Sequence, residues 1–276
     1  MLSADDTREG SAPHMNPYRD RRPHIDLNCD MGEGMPSDAD IFPFISSANI
    51  ACGAHAGDDA TMRLTVERAL RHGVAIGAHP SYPDRERFGR VDILGSALRA
   101  EDLPDLLTDQ LGRLQKICQQ SDTRLHHVKP HGALYNRAAK DPAVSALIAR
   151  TVAGFDPSLL LYGLSGSEME KQAAAYGLSF VSEVFADRRY QADGSLVPRS
   201  EPHALIEDPD EAIAQVLKMV CERRVRVGET EIPLRADTIC IHGDGSHAAE
   251  FARMIHDVLL ENGIVIKNPL TTMGGR

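Results

Sequence analysis

Leu125-His126-His127-Val128-Lys129-Pro130-His131-Gly132-Ala133-Leu134-Tyr135-Asn136 reads as a short strand that stops at a cluster of reactive side chains. Leu125 to Val128 is strand-like. Pro130 ends it, because proline has no N–H to give to a ladder. Gly132 frees the backbone, and Tyr135 and Asn136 stand where a turn or the start of a helix is due. A cation, an imidazole, a phenol and an amide thus gather just past a strand end. In α/β folds that is where active-site groups collect. A surface loop with a helix cap is the plain alternative for this stretch alone, so its recurrence elsewhere decides.

It recurs on both sides. Upstream, His24–Asn28 alternates apolar Ile25 and Leu27 with Asp26 and Asn28, as a short strand does. Asp30 and Glu33 follow in a turn with Gly32 and Gly34. Ser47–Gly57 is rich in small residues and carries His55. Asp58 or Asp59 caps the next helix, whose apolar Met62, Val66, Ala69 and Leu70 have helical spacing before Gly73 closes it. Val74–Ala78 is a strand ended by His79-Pro80, and the loop Ser81–Arg90 is dense in arginine, either as a solvated face or as an anion clamp. A leucine-striped helix is expected over 97–119, and another over 142–152.

Downstream, Leu159–Gly163 is apolar throughout, as expected of a strand covered on both faces. Phe180–Phe185 is a strand carrying Glu183, with Asp187 just after it. The long connection Gln191–Asp208 holds Arg199 and the turn signal Asp193-Gly194, and reads as a mobile flap. A helix over 209–223, a strand Thr238–Ile241 ending in His242-Gly243-Asp244, a helix to about Asn262 and a last short strand at 264–266 complete the chain.

Strand and helix alternate throughout, which implies parallel strands joined by helical crossovers. Seven or eight strands in 276 residues favour a closed parallel β/α barrel over an open sheet. Closure would bring Asn28, Asp30, His55, His79, Lys129, His131, Glu183, Asp187, His242 and Asp244 around one mouth. Residues 1–22, polar and unpatterned, read as a disordered extension, and 23–276 as a single barrel domain.

The net charge of -10 argues against a nucleic-acid backbone as partner but leaves room for small anions held by local Lys and Arg. No apolar run approaches the length needed to cross a bilayer. Five cysteines without a CxxC pair fit a reduced cytoplasm, with Cys29, Cys52 and Cys240 read as small buried side chains. There is no GxxxxGK[ST] loop, and so no Walker-type nucleotide site.

Taken together, the motifs resemble those of the LamB/YcsF family. Asp26–Gly34, Asn49–Gly53 with His55–Asp58, Gly77–Pro80, Phe88–Arg90 and His127–Asn136 carry the likeness. Glu183–Arg188, Tyr190, Pro198-Arg199 and His242–Asp244 extend it. The N-terminal extension has no counterpart, and Val91 stands where a second basic residue is expected after Arg90.

The resemblance implies a seven-stranded, deacetylase-like variant of the TIM barrel. It implies the role of the A subunit in a bacterial ATP-dependent 5-oxoprolinase, which opens the lactam of 5-oxo-L-proline to L-glutamate. Partner subunits B and C would be required for turnover, and Mg²⁺ would come with ATP.

A lactam amide resists water until its oxygen is phosphorylated, so such a site needs cations, a base and carboxylates for Mg²⁺. Lys129 and Arg199 are candidate cations, and His131 and His79 candidate bases. Asp30, Glu33 and Asp244 are candidates for positioning Mg²⁺ or water. Asn28, His55, Tyr135, Asn136, Glu183, Asp187 and His242 complete the set expected to contact substrate or nucleotide. Lys129 and His131 are expected to serve chemistry rather than folding. Two rival readings use the same residues: a metal-dependent hydrolase or deacetylase, with Asp30, His55, His79, His131 and Asp244 as ligands, and a subunit that only presents substrate.

Overall fold

A computed structural model describes residues 23–241 and 247–269. Seven parallel strands close on themselves: β1 (His24–Met31), β2 (Ser47–Ala51), β3 (Ala75–His79), β4 (His127–Val128), β5 (Leu160–Leu164), β6 (Phe180–Phe185) and β9 (Thr238–Ile241). The closure is explicit in Thr238, which pairs with Glu183 on one side and Asp26 on the other. The short β10 (Val265–Ile266) adds to the start of β1, outside the ring. Between β6 and β9 lies an antiparallel hairpin, β7 (Arg224–Val227) and β8 (Thr230–Pro233).

The helices follow local signals. In α2 (Asp59–His72) the Asp58 carboxylate accepts the Thr61 N–H, and Gly73 ends the helix at φ 68°, a conformation that favours glycine. In α3 (Leu103–Gln120), Leu103, Leu107, Leu111, Leu114 and Ile117 are buried along one stripe, each stabilising by about 1.5–3 kcal/mol. Asp141 caps α5 (Pro142–Phe155), with proline at the first helical position, where its missing N–H costs nothing.

Two expectations need correcting, and two stretches become definite. The central strand is two residues long: the Ile76 N–H goes to the His126 Nδ1 rather than to a backbone carbonyl, although the His126 N–H still donates to the Ile76 carbonyl. Ser47–Ala51 is a full strand, all buried, with polar Ser47 and Asn49 alternating with Ala48 and Ile50. Of the two readings open for Tyr135 and Asn136 the helix holds: Gly132–Lys140 is α4. The helix expected over 209–223 ends at Leu217 as α7 (Pro209–Leu217), followed by a π turn and the hairpin.

Alternation along β1 sends Leu27, Cys29 and Met31 into the apolar shell and Asp26, Asn28 and Asp30 into the barrel. Barrel interiors are ordinarily filled with branched apolar residues. Here the interior is polar in layers. At the floor, the Asp26 carboxylate accepts hydrogen bonds from Ser46 (2.6 Å), Ser47 (2.7 Å), Thr238 (2.7 Å) and Tyr162 (3.0 Å).

Above it, Asn28 donates to Thr238 (2.8 Å) and Glu183 (3.0 Å), and Asn49 donates to Asn28 (2.7 Å). His127 meets Asn49 at 2.8 Å and stacks on Tyr162. Gly77 makes room for it, since a Cβ there would overlap the imidazole.

Candidate active site

The next layer up is the mouth. A cleft of ≈ 510 Å³ opens there, lined by Asp30, Glu33, His79, Lys129, His131, Tyr135 and Asn136. Its other walls bring Arg90, Arg137, Lys140, Arg188 and Arg199, so a protein of negative net charge has a cationic cleft.

Each group is placed by the end of a strand. Lys129, just past β4, is only 2% exposed. Its ammonium reaches Glu183 (2.8 Å), Asp30 (3.0 Å), Cys240 Sγ (3.1 Å) and Asn28 (3.2 Å). Burial works against that cation, but Asp30, Cys240 and Glu183 outweigh it and hold its pKa well above the ordinary value. Lys129 therefore belongs to the buried charge network that the fold encloses, beside the chemical role expected of it. Its short bonds are already committed to the protein, and it fixes Asp30.

Asp30 in turn faces His79, with Oδ2 3.2 Å from Nε2. The His79 Nδ1–H donates to the Lys129 carbonyl at 2.7 Å. His131 donates from Nε2 to the Phe88 carbonyl at 2.9 Å. These carbonyls accept only, so they assign the tautomers: His79 Nε2 and His131 Nδ1 are turned toward each other, 2.9 Å apart. Phe88 sits at φ 56°, a strained conformation for a bulky residue, and it belongs to the loop that presents this carbonyl. His55 stacks face to face on His131, 3.8 Å between ring centres, and its Nε2 lies 2.8 Å from Glu33 Oε1.

The electrostatics are strained. Burial, with Asp30 adding to it, raises the Glu33 carboxyl above its ordinary range. Burial and neighbouring His79 push His55 down to about 3, and burial with His79 and His55 does the same to His131. Burial opposes charge on His79 as well, but Asp30 and Glu33 outweigh it and raise that ring.

The structure brings Asp30, Glu33, His79, Lys129, His131, Tyr135, Asn136 and Arg199 to one cleft. Asn28 and Glu183 lie beneath it, fully buried, and touch Lys129 rather than open space. His55 is behind Glu33 and His131, and Asp187 is not among the lining residues. His242 and Asp244 lie outside the described residues.

The loop at 191–208 is tied down at several points. Tyr190 bridges Leu196, Arg188 bridges Leu205 and also donates to the Val197 carbonyl (2.6 Å), and Ser195–Ser200 forms a wall of the cleft. Sequence reasoning missed Arg137, Lys140 and Arg188. The first two share a helix with Asn136, one helical turn apart, which was the available signal.

The sequence profile of the LamB/YcsF family matches residues 25–274. The chain belongs to the LamB/YcsF family. The A subunit of a 5-oxoprolinase from Tolumonas auensis is 52% identical over 249 residues, covering 88% of this chain and 98% of that protein. Its counterpart from Geobacillus thermodenitrificans is 51% identical over 248 residues, covering 88% and 96%. Among solved structures, the lactam utilization protein from Thermus thermophilus has a TM-score of 0.81 at 40% identity, covering 88% of this chain and 99% of that one. A protein from Enterococcus faecalis, at 14% identity and TM-score 0.54, shares the fold alone. Among the described residues no helix is long and apolar enough to cross a membrane.

Proposed function

We propose that this chain is the A subunit of an ATP-dependent 5-oxoprolinase and holds the lactam in the cleft at the barrel mouth. The reading is carried by relatives of that name, half identical to this chain over nearly their whole length. The cleft supports it with the two kinds of group that the chemistry needs.

Opening 5-oxo-L-proline breaks the ring C–N bond of a resonance-stabilised amide. Transfer of the ATP γ-phosphoryl group to the amide oxygen makes that oxygen a leaving group. Water then adds to the imidate carbon and the ring C–N bond breaks, leaving an acyl phosphate on the opened chain. A second water hydrolyses that acyl phosphate, giving glutamate, ADP and inorganic phosphate. Arg199, Arg188 and Arg90 line the wall where phosphoryl oxygens can be met by guanidinium. Mg²⁺ would enter with the nucleotide, and subunits B and C would complete the assembly. Lys129 holds Asp30 in place, and Asp30 orients His79. The His79–His131 pair, turned toward Glu33, is the group placed to take a proton from water.

The test mixes the purified chain, candidate partner subunits, ATP and 5-oxoproline, and assays glutamate and ADP together. Equal amounts of both, formed only when this chain is present, are expected. ADP without glutamate, or glutamate without this chain, would refute the reading. Turnover that survives loss of the mouth residues would leave a subunit that only presents substrate.

A further inference from the structure

We infer that Glu33, His55, His79 and His131 form a binding site for a divalent transition metal ion of the zinc class. Each of the four supplies one ligand atom, and these atoms all lie within 4.8 Å of one another. They come from the ends of four neighbouring strands, β1 to β4, so barrel closure itself assembles them.

The hydrogen bonds argue for a cation. His79 gives its Nδ1–H to the Lys129 carbonyl, and His131 gives its Nε2–H to the Phe88 carbonyl. The facing nitrogens, 2.9 Å apart, then hold a single proton between them when His79 is charged, and none when both rings are neutral. Glu33 Oε1 adds further negative charge, 3.4 Å from His131 Nδ1 and 3.9 Å from His79 Nε2. These acceptors favour something positive among them, and a divalent ion would take the place of that proton. Metal-bound histidines characteristically give their other N–H to a carbonyl or carboxylate, which fixes the tautomer just as here.

The spacing fits as well. A tetrahedral ion with ligands at roughly 2.0–2.2 Å holds them about 3.3–3.6 Å apart. Four of the six separations, 2.8, 2.9, 3.4 and 3.9 Å, lie around that range and the other two stay within 4.8 Å, so binding would draw the stacked His55 and His131 rings out of parallel. The donor set is three imidazoles and one carboxylate with no thiolate, which suits zinc and its neighbours rather than Mg²⁺. It is therefore separate from the Mg²⁺ that accompanies ATP. His55 differs from the other two rings in that its Nδ1 is buried without a partner, so its orientation rests on Glu33 and on stacking against His131.

Glu33, His79 and His131 also line the cleft, so the ion would be reached from the substrate side. The existence of the site does not rest on the lactam reading. Only its task, holding a water against the lactam, does.

The test is a titration of the full chain, stripped with chelator, with Co²⁺ alone and then with Zn²⁺ in competition. One Co²⁺ per chain is expected, with tetrahedral d–d bands, no thiolate charge-transfer band, and displacement by one Zn²⁺. Loss of a ligand should weaken binding beyond the roughly 10–100-fold typical of losing a supporting hydrogen bond. His55→Ala and Glu33→Gln should each do so, while the exposed Cys221→Ala should bind as wild type. Circular dichroism and melting in chelator confirm folding, and His55→Gln replaces His55→Ala if the latter fails to fold. No Co²⁺ bound by the wild type, or equal binding by Glu33→Gln and the His55 variant, would overturn the site. The titration contains neither ATP nor lactam. Metal-free turnover by the reconstituted complex, with no Co²⁺ bound, would sink the metal site and leave the lactam reading standing.

Discussion

The floor and the mouth of this barrel are built from the same kind of residue and behave oppositely. At the floor, one buried carboxylate, Asp26, is met by four hydroxyls and does not line the cleft. At the mouth, two carboxylates and three imidazoles crowd together, and two imidazole nitrogens face each other 2.9 Å apart. Burial raises the Asp26 carboxyl, and its hydroxyl partners work against that rise. Burial raises Glu33 too, but there Asp30 makes matters worse. A buried polar group is thus not a sign of chemistry in itself. The informative feature is whether its neighbours satisfy it.

The sharpest way to break this contrast is Lys129→Met, which sits between the two regions. It leaves Asp30 and Glu183 buried without their cation, and breaking a buried ion pair in this way costs about 3–5 kcal/mol. Thermal melting should fall markedly. Turnover of the reconstituted complex should drop by about a hundred- to a thousandfold, as when one transition-state donor is lost. An unchanged melting temperature would mean that the charge network is not what holds Asp30.

A smaller effect, confined to the floor, is expected of Asp26→Asn. The amide cannot accept from all four hydroxyls, and leaving buried donors unmet costs about 1–3 kcal/mol. Denaturant unfolding should show that loss, while turnover per folded molecule stays level. A large fall in turnover would erase the distinction between the layers.

The smallest effect concerns pH. Asp38 accepts the Gly32 N–H at 2.9 Å and so pins the loop that carries Glu33. Burial pushes its carboxyl up to about 6, against that bond. A carboxyl with a raised folded pKa favours the fold below its unfolded pKa, near 4, and that stability is lost as pH rises through about 6. Melting curves between pH 4 and 7 should show wild type losing roughly 1–2 kcal/mol relative to Asp38→Asn over that span, after allowance for water near the group. Parallel curves would show that Asp38 titrates normally.

Much of this was legible in the chain. Alternating strands and helices named the closed barrel, and His79, Lys129 and His131 fell where strand ends put them. Ser47–Ala51 carries the alternation, Ser47 and Asn49 against Ala48 and Ile50, but over only five residues of mostly small side chains, which obscures it. The hairpin at 224–233 did have a signal, Arg224-Val225-Arg226-Val227 alternating before Gly228, but its strands are four residues each and lie outside the barrel's strand–helix rhythm. The floor was the larger omission. Asp26, Ser47, Tyr162 and Thr238 are far apart in sequence and meet only on closure. The available clue was Asp26, Asn28 and Asp30 at every second position of a strand that an α/β barrel surrounds on both faces.

The claim that the mouth is strained for chemistry is tested most directly by Glu33→Gln, read for melting temperature and turnover on the same preparation. The amide keeps the shape and the acceptor facing His55 but removes a charge that Asp30 repels. The account predicts a melting temperature equal to or above wild type, with glutamate formation reduced by about a hundred- to ten-thousandfold, the range expected when the His79–His131 pair that takes the proton from water loses the carboxylate it faces. A lowered melting temperature with turnover retained would contradict it, and would make Glu33 a structural residue like Asp26.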